Sequence, residues 1–237
     1  MKNIFLAFSI ILAVSCTPVN DTNTEGNDDE NGNTNTIVTE PGTPITDVSG
    51  NTYQTIKIGT QTWMAENLKT TKFRNGVTIT EAQSTASWMN ATDTPKYCKY
   101  NNNADSSAIY GLLYDGNAAY STNNIAPTGW RVATIDDWNT LIAYLGGSTV
   151  VGGKLKETGF NHWLSPNTAA DNASGFKALG AGCRFPSGFE SILAVANWWV
   201  GNSAATGVLY SIFYHNDNID ARNSSKEMGY SIRCIKE

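Results

Sequence analysis

The sequence predicts an α+β domain built on antiparallel sheet, and three observations predict it. The segment PTGWRVATIDDWNTLIAYLGG, residues 127–147, carries a helix start, a helix stop and one apolar stripe. Ahead of it, GNTYQTIKIGTQTWMAENL reads as a β-hairpin. Behind it the chain returns to short β-rich segments. The order is therefore strand pair, helices, then strands, rather than a βαβ repeat. No repeat of solenoid length is present.

The chain opens MKNIFLAFSIILAVSC. Lys2 precedes an uncharged apolar run from Ile4 to Val14, and small residues lead to Cys16. A basic start, an apolar stretch of about 7–15 residues and a small-residue exit describe a secretory signal, residues 1–15; a spanning helix needs about 20. LAVSC also resembles the bacterial lipobox, which implies that Cys16 becomes the lipidated first residue and that the chain's first partner is a lipid bilayer. Residues 16–44 continue with Asn, Thr, Asp, Glu and Gly and almost nothing apolar. Such a stretch buries too little surface to offset the entropy of ordering, so it reads as a disordered acidic tether.

The tether holds six acids and no Lys or Arg; with Lys2 these account for the whole net charge of −5, so residues 45–237 sum to zero. A neutral body excludes nucleic acid as a partner, which requires a basic surface. Its 193 residues fit one domain, and no second linker divides it.

Within that domain, Thr52 to Ile58 is rich in β-formers, Gly59-Thr60 takes the turn, and Gln61 to Met64 returns. One helical turn is expected near Trp88, halted before Pro95. Thr134 suits an N-cap, with Asp137 three residues on, and Asp136 and Asp137 lie in the positive first turn. Ile135, Trp138, Leu141, Ile142 and Leu145 make the apolar stripe, and Gly146-Gly147 ends the helix. Such a stripe is core far more often than it is a site. A shorter helix or turn is expected near GGKLKETG. In the closing GYSIRCIKE, Tyr230, Ile232 and Cys234 share one face and Ser231 and Arg233 the other, as in a half-buried strand.

GNTYQTIKIGTQTWMAENLKTTKFRNG, TPKYCKYNN, YGLLYD, PTGWRVATIDDWNTL, GGKLKETG, HWLSPNTAADNASGFKALGAGCR and GYSIRCIKE follow one another over roughly residues 47–237. In that order they resemble the Fibrobacter succinogenes major paralogous domain family. The resemblance implies an exported protein of Bacteroidetes-like bacteria, often lipid-anchored, in the outer membrane or at the cell surface. More distantly, GWRVATIDDW before a helix and GYSIRCIKE at the end are similar to the C-type-lectin-like fold shared with sulfatase-modifying-factor domains. That similarity implies a helix beneath twisted antiparallel sheets, with function on long loops.

Two departures stand out. The family usually has cysteine before PTGW, where this chain has Ala126, so the residue matching Cys234 lacks its usual partner. The usual WWSST is here WWVGN, Trp198 to Asn202. Cys98, Cys183 and Cys234 allow one pair in three ways. Against the family pattern Cys183 stands as the replacement partner, which favours Cys183–Cys234; the alternative is three buried thiols.

Catalytic residues are expected to be none. His162 and His215 are far apart in sequence, no Cys or His cluster has zinc spacing, and no nucleophile-elbow motif occurs. No cofactor is expected. Tyr214 to Asp220, YHNDNID, does group two carboxylates with two amides, the oxygen ligands calcium takes, but these are also ordinary turn residues. The stronger candidate is an aromatic platform for sugar, since sugar C–H faces stack on Trp and Tyr while polar side chains bind hydroxyls. Its residues are Trp198, Trp199, Tyr214, Asn216, Asp217, Asp220 and Arg222, against the alternative that both tryptophans are core. The expected function is a non-catalytic envelope lipoprotein binding carbohydrate or another extracellular ligand through its C-terminal loops. The alternatives are a structural or adhesive module with a protein-binding face, and an enzyme related to the sulfatase-modifying-factor folds.

Overall fold

A computed structural model describes residues 36–90, 93–202 and 207–237. The expected signal peptide, the lipidation site Cys16 and the tether up to residue 35 lie outside the described residues.

The main sheet contains β1 (Thr39–Thr46), β2 (Thr52–Ile58), β3 (Gln61–Met64), β7 (Trp130–Val132) and β13 (Cys234–Lys236), in the order β1-β2-β3-β13-β7. Three smaller sheets accompany it. They are β4 (Thr80–Glu81), β5 (Lys96–Cys98) and β6 (Leu113–Tyr114); β8 (Ala181–Phe185) and β9 (Gly188–Ile192); and β10 (Val195–Trp199), β11 (Gly207–Phe213) and β12 (Ile219–Ser224). All pairings between these strands are antiparallel except β4 with β5. Short helices connect them: α1 (Thr85–Met89), α2 (Ala104–Tyr110), α3 (Gly116–Ala119), α4 (Ile135–Tyr144) and α5 (Val151–Leu155). The fold is thus mixed α+β with mostly antiparallel sheet. Among the described residues no helix is long and apolar enough to cross a membrane.

The β2–β3 hairpin falls where the sequence places it. Ile58 pairs with Gln61 across a turn in which Gly59 takes φ +58°, a region glycine enters without strain. β1 corrects the expected domain boundary at residue 45, because the folded body begins at Thr36. Thr39–Gly42 and Ile45–Thr46 pair with β2 through a register shift between Gly42 and Ile45. Pro41 and Pro44 are tolerated because the strand is an edge. Backbone pairing, rather than side-chain burial, holds this segment, so its polar composition hid it.

Helix α4 has the anticipated cap. Thr134 Oγ1 accepts from Asp137 N, and the Asp137 carboxylate accepts from Thr134 N at 2.7 Å. Arg131 adds a bidentate pair to Asp137, which holds that carboxyl below its usual range even though burial opposes it. Such a cap stabilises by about 1 kcal/mol. Trp138, Leu141 and Leu145 are fully buried and Ile142 is partly buried, but Ile135 is exposed. The stripe is narrower than its periodicity suggests, since it begins at Trp138 rather than at Ile135.

Trp138 is the hub of the main core. Its ring lies 5.2 Å from Trp63, 5.4 Å from Trp198, 5.8 Å from Phe176 and 5.2 Å from Tyr210. Ile235 of β13 belongs to the same cluster as Trp138, Leu141 and Leu145. The closing segment corrects the half-buried expectation. Ser231 and Arg233 are each 1% exposed, so both faces of 230–235 are interior. Arg233 lies 4.1 Å from the Phe176 ring centroid and donates to Met64 O, Phe176 O and Asn67 Oδ1. Burial pushes its pKa down to about 9.

Candidate functional site

The aromatic platform expected in the C-terminal half is not formed. Trp198 and Trp199 on β10 point to opposite faces, as neighbours in a strand must, yet both are 0% exposed. Trp198 joins the Trp138 core and donates Nε1–H to Asn67 Oδ1 at 2.8 Å. Trp199 packs against Tyr230 and Tyr120 in a second core and donates to Tyr114 O at 2.7 Å. Neither offers a face to a ligand. β10 carries core on both sides, which no single segment of sequence reveals.

The other predicted residues cluster without a platform. Tyr214 is half-buried against the main core, and its ring meets His215 at 5.0 Å. Asn216 and Asp217 use their carbonyls as fasteners. Asn216 O accepts from Lys156 Nζ at 2.8 Å, and Asp217 O accepts from Gly152 N at 2.8 Å. The Lys156 ammonium also reaches Thr168 O and Phe213 O; its burial pushes the pKa down to about 8. Asp220 and Arg222 pair with each other at 2.8 Å on the surface. Among the described residues there is no group of three or more His, Cys, Asp or Glu that could hold a metal ion.

The disulfide expectation is corrected as well. Cys98, Cys183 and Cys234 are free and buried. Cys183 and Cys234 share one apolar cluster without being joined, and burial pushes all three thiols up to about 12. Thiols of this kind are unreactive packing groups.

An opening does exist elsewhere. A cleft of about 350 Å³ lies between the end of α1, the start of β5, the start of α3 and the loop 225–227. Its lining includes Trp88, Asn90, Lys96, Asp115, Asn117 and Glu227. Trp88 reaches it because Ser84 caps α1 with a reciprocal Ser84–Ser87 box. The indole then donates to Glu227 O at 2.8 Å, tying the helix to the loop. Gly116 N donates to Lys226 O at 2.7 Å, and a Cβ at Gly116 would lie 2.7 Å from Lys226 Cα. Glycine is required there to let α3 meet the loop.

The floor of the cleft is charged and nearly dry. Lys96 is 7% exposed and Asp115 3%. Lys96 Nζ donates to Asn90 O at 2.6 Å and Trp88 O at 3.2 Å, closing the carbonyl end of α1. Asp115 Oδ1 accepts from Lys96 N at 3.0 Å and from Ala118 N at 2.8 Å, capping α3. Desolvation pushes the Asp115 pKa up to about 6, although those amides and the Lys96 charge pull it back. A perturbed carboxyl in a concave pocket is a physical mark of a site.

Asn90, Asp93, Asn117, Ser225 and Glu227 complete the polar lining, with Met89 and Pro186 as apolar residues; the Asn117 side chain is hydrogen-bonded to Asp115. Such a set can exchange hydrogen bonds with a polyhydroxyl ligand while covering its apolar face. No histidine or cysteine lines the cleft. His162 is braced elsewhere by Glu157, Nδ1 to Oε2 2.6 Å. The sequence did show that Trp88 lies in a helical turn; the cleft itself needed four segments to be brought together.

No curated protein and no solved structure matches this chain. The sequence model of the Fibrobacter succinogenes major domain (Fib_succ_major) matches residues 56–236, from β2 to β13 and across both cores and the cleft. By that match the chain belongs to the Fibrobacter succinogenes major domain family.

Proposed function

We propose that this protein is a non-catalytic, lipid-anchored module of the cell envelope that binds carbohydrate in the Trp88 cleft. The observation that carries the reading is the cleft itself: amides, a hydroxyl and carboxylates converge over a buried Lys96–Asp115 floor, beside apolar Met89 and Pro186. Sugars are recognised by that combination of hydroxyl-binding groups and apolar contact. The signal-like start and the lipobox-like LAVSC support the anchor at Cys16 and an outer-membrane or surface location. A C-type-lectin-like architecture is part of the proposal; the shared core of α4 and the closing strand, with antiparallel sheets around it, supports it.

Glycan-array binding by the full chain in detergent tests the proposal. Asn117→Ala and Glu227→Ala remove polar side chains that line the cleft and leave the Glu227 carbonyl that holds Trp88. Both should weaken binding at least about tenfold, equivalent to 1.4 kcal/mol; the thermal midpoint should stay unchanged in Glu227→Ala and fall modestly in Asn117→Ala, which also loses a hydrogen bond to Asp115. A glycan bound equally well by both variants would place the site elsewhere. A blank array beside a stable protein partner that both variants fail to capture would favour a protein-binding module.

A further inference from the structure

We infer that two copies of this chain pair through the outer edge of β12, in an antiparallel contact centred on Ala221. β12 is the outermost strand of the β10-β11-β12 sheet. Of its residues, Ala221, Arg222 and Asn223 are exposed. The hydrogen-bond pattern fixes which peptide groups face outward. Val208 O accepts from Val200 N at 2.9 Å, on the β10 side. Val208 and its β12 partner Asn223 are therefore a pair whose peptide groups point away from each other. By the same alternation Ala221, opposite Tyr210, turns its N–H and C=O outward, and so does Ile219. Ile219 bears this direction out, because its N–H donates to Ser148 O at 2.9 Å, outside the sheet. Among the described residues no backbone group meets the outward N–H and C=O of Ala221 or Asn223 in this way.

Charged side chains on a bare edge ordinarily keep a second strand away. Here their order makes the edge complementary to itself. Asp220 and Arg222 flank Ala221 and lie on one face of the strand, where they pair at 2.8 Å. In a two-fold antiparallel pairing centred on Ala221, each Ala221 N–H donates to the C=O of the other copy. Asp220 then stands opposite Arg222 of the second copy, and Arg222 opposite its Asp220. These are non-hydrogen-bonded positions of the ladder, where side chains come closest. Moving the centre one residue either way sets Asp220 against Asp220 or Arg222 against Arg222, and like charges directly opposite repel. One register therefore satisfies backbone and charges together, and the strand that fits it is β12 of a second copy. The Ser148 bond at Ile219 ends the pairing after a few residues. The interface is small, so the dimer is weak and reversible. It is separate from the Trp88 cleft, whose lining includes no residue of β12.

Sedimentation equilibrium of the full chain in density-matched detergent, from about 1 μM to about 1 mM, tests the inference. The parent should pass from monomer to dimer within that range. Asp220→Arg and Arg222→Asp each set like charges opposite one another twice, and each should weaken self-association at least about tenfold. An equal mixture of the two variants should restore the dimer, since one chain then brings two cations to the edge and the other two anions. Ala221→Pro removes the donors at the two-fold axis but no bond to β11, because that N–H faces outward, where an edge strand tolerates proline. It too should dissociate the dimer while the chain still unfolds in one cooperative transition. A parent that stays monomeric throughout overturns the inference. So does a dimer that the single charge reversals leave intact, or one that their mixture fails to restore.

Discussion

The surroundings of Trp138 and of Trp88 are made from similar material and end in opposite states. Each joins a tryptophan to a buried cation. Around Trp138, four aromatic rings close over the space, and Arg233 finds carbonyls, an amide oxygen and a ring face inside it. Around Trp88, Lys96 and Asp115 are nearly as buried, but a cleft bordered by exposed amides and carboxylates lies above them. Tryptophan therefore does not by itself mark a site in this protein. What separates the two regions is whether the polar groups are used up internally or left pointing into an opening.

The comparison breaks most readily at the two cations. Arg233→Met would leave Met64 O and Phe176 O without that buried donor, while Asn67 Oδ1 would keep Trp198 Nε1. With about 1–3 kcal/mol for each unsatisfied group, the expected loss is about 2–6 kcal/mol. Lys96→Met strands Trp88 O and Asn90 O beside the cleft, where water can reach them; the expected loss is about 1–2 kcal/mol. Urea unfolding of the two variants measures both. A Lys96→Met loss equal to that of Arg233→Met would show that the cleft floor is as closed as the core.

Asp115 sharpens the comparison through pH. Its folded pKa is about 6, raised by desolvation from an ordinary 3.8. The folded state therefore holds the proton more tightly than the unfolded state. The resulting stability is fully present below the unfolded pKa and is lost as pH rises through about 6, a change of up to about 3 kcal/mol. Asp115→Asn keeps an oxygen for the Lys96 and Ala118 amides and cannot titrate. Its urea midpoint should vary less between pH 4 and 7 than that of the parent. An unchanged pH slope would mean that the carboxyl is solvated and the cleft floor wet.

The parts of this architecture legible in the sequence are those set by neighbours in the chain. The β2–β3 turn is local glycine chemistry, and the Thr134–Asp137 cap is one turn of helix. The fate of Trp198 and Trp199 is not local. One is covered by Trp138 and Phe176, the other by Tyr230 and Tyr120, and all four covering residues come from distant segments. The same holds for the cleft, whose walls run from residue 88 to residue 227. β1 was missed for a related reason: an edge strand held by backbone pairing needs no apolar pattern of its own.

The smallest expected effect separates the C-terminal loop from the cleft. Asp220 and Arg222 pair at 2.8 Å with side chains 42% and 54% exposed. Water screens such a pair and holding it costs side-chain freedom, so Asp220→Ala should change stability by no more than about 0.5 kcal/mol. Arg222→Ala also removes a cation 5.0 Å from the Phe213 ring centroid, an exposed contact worth about 0.5–1 kcal/mol. Neither residue lines the cleft, so glycan affinity should be unchanged in both variants. Loss of binding with stability intact would return the site to the YHNDNID loop. It would then have to act without Trp198 and Trp199, through Tyr214 and the polar side chains alone. Retained binding in these variants, together with loss in Asn117→Ala, would assign recognition to the cleft, because the two sets differ in location but share the same kinds of polar group.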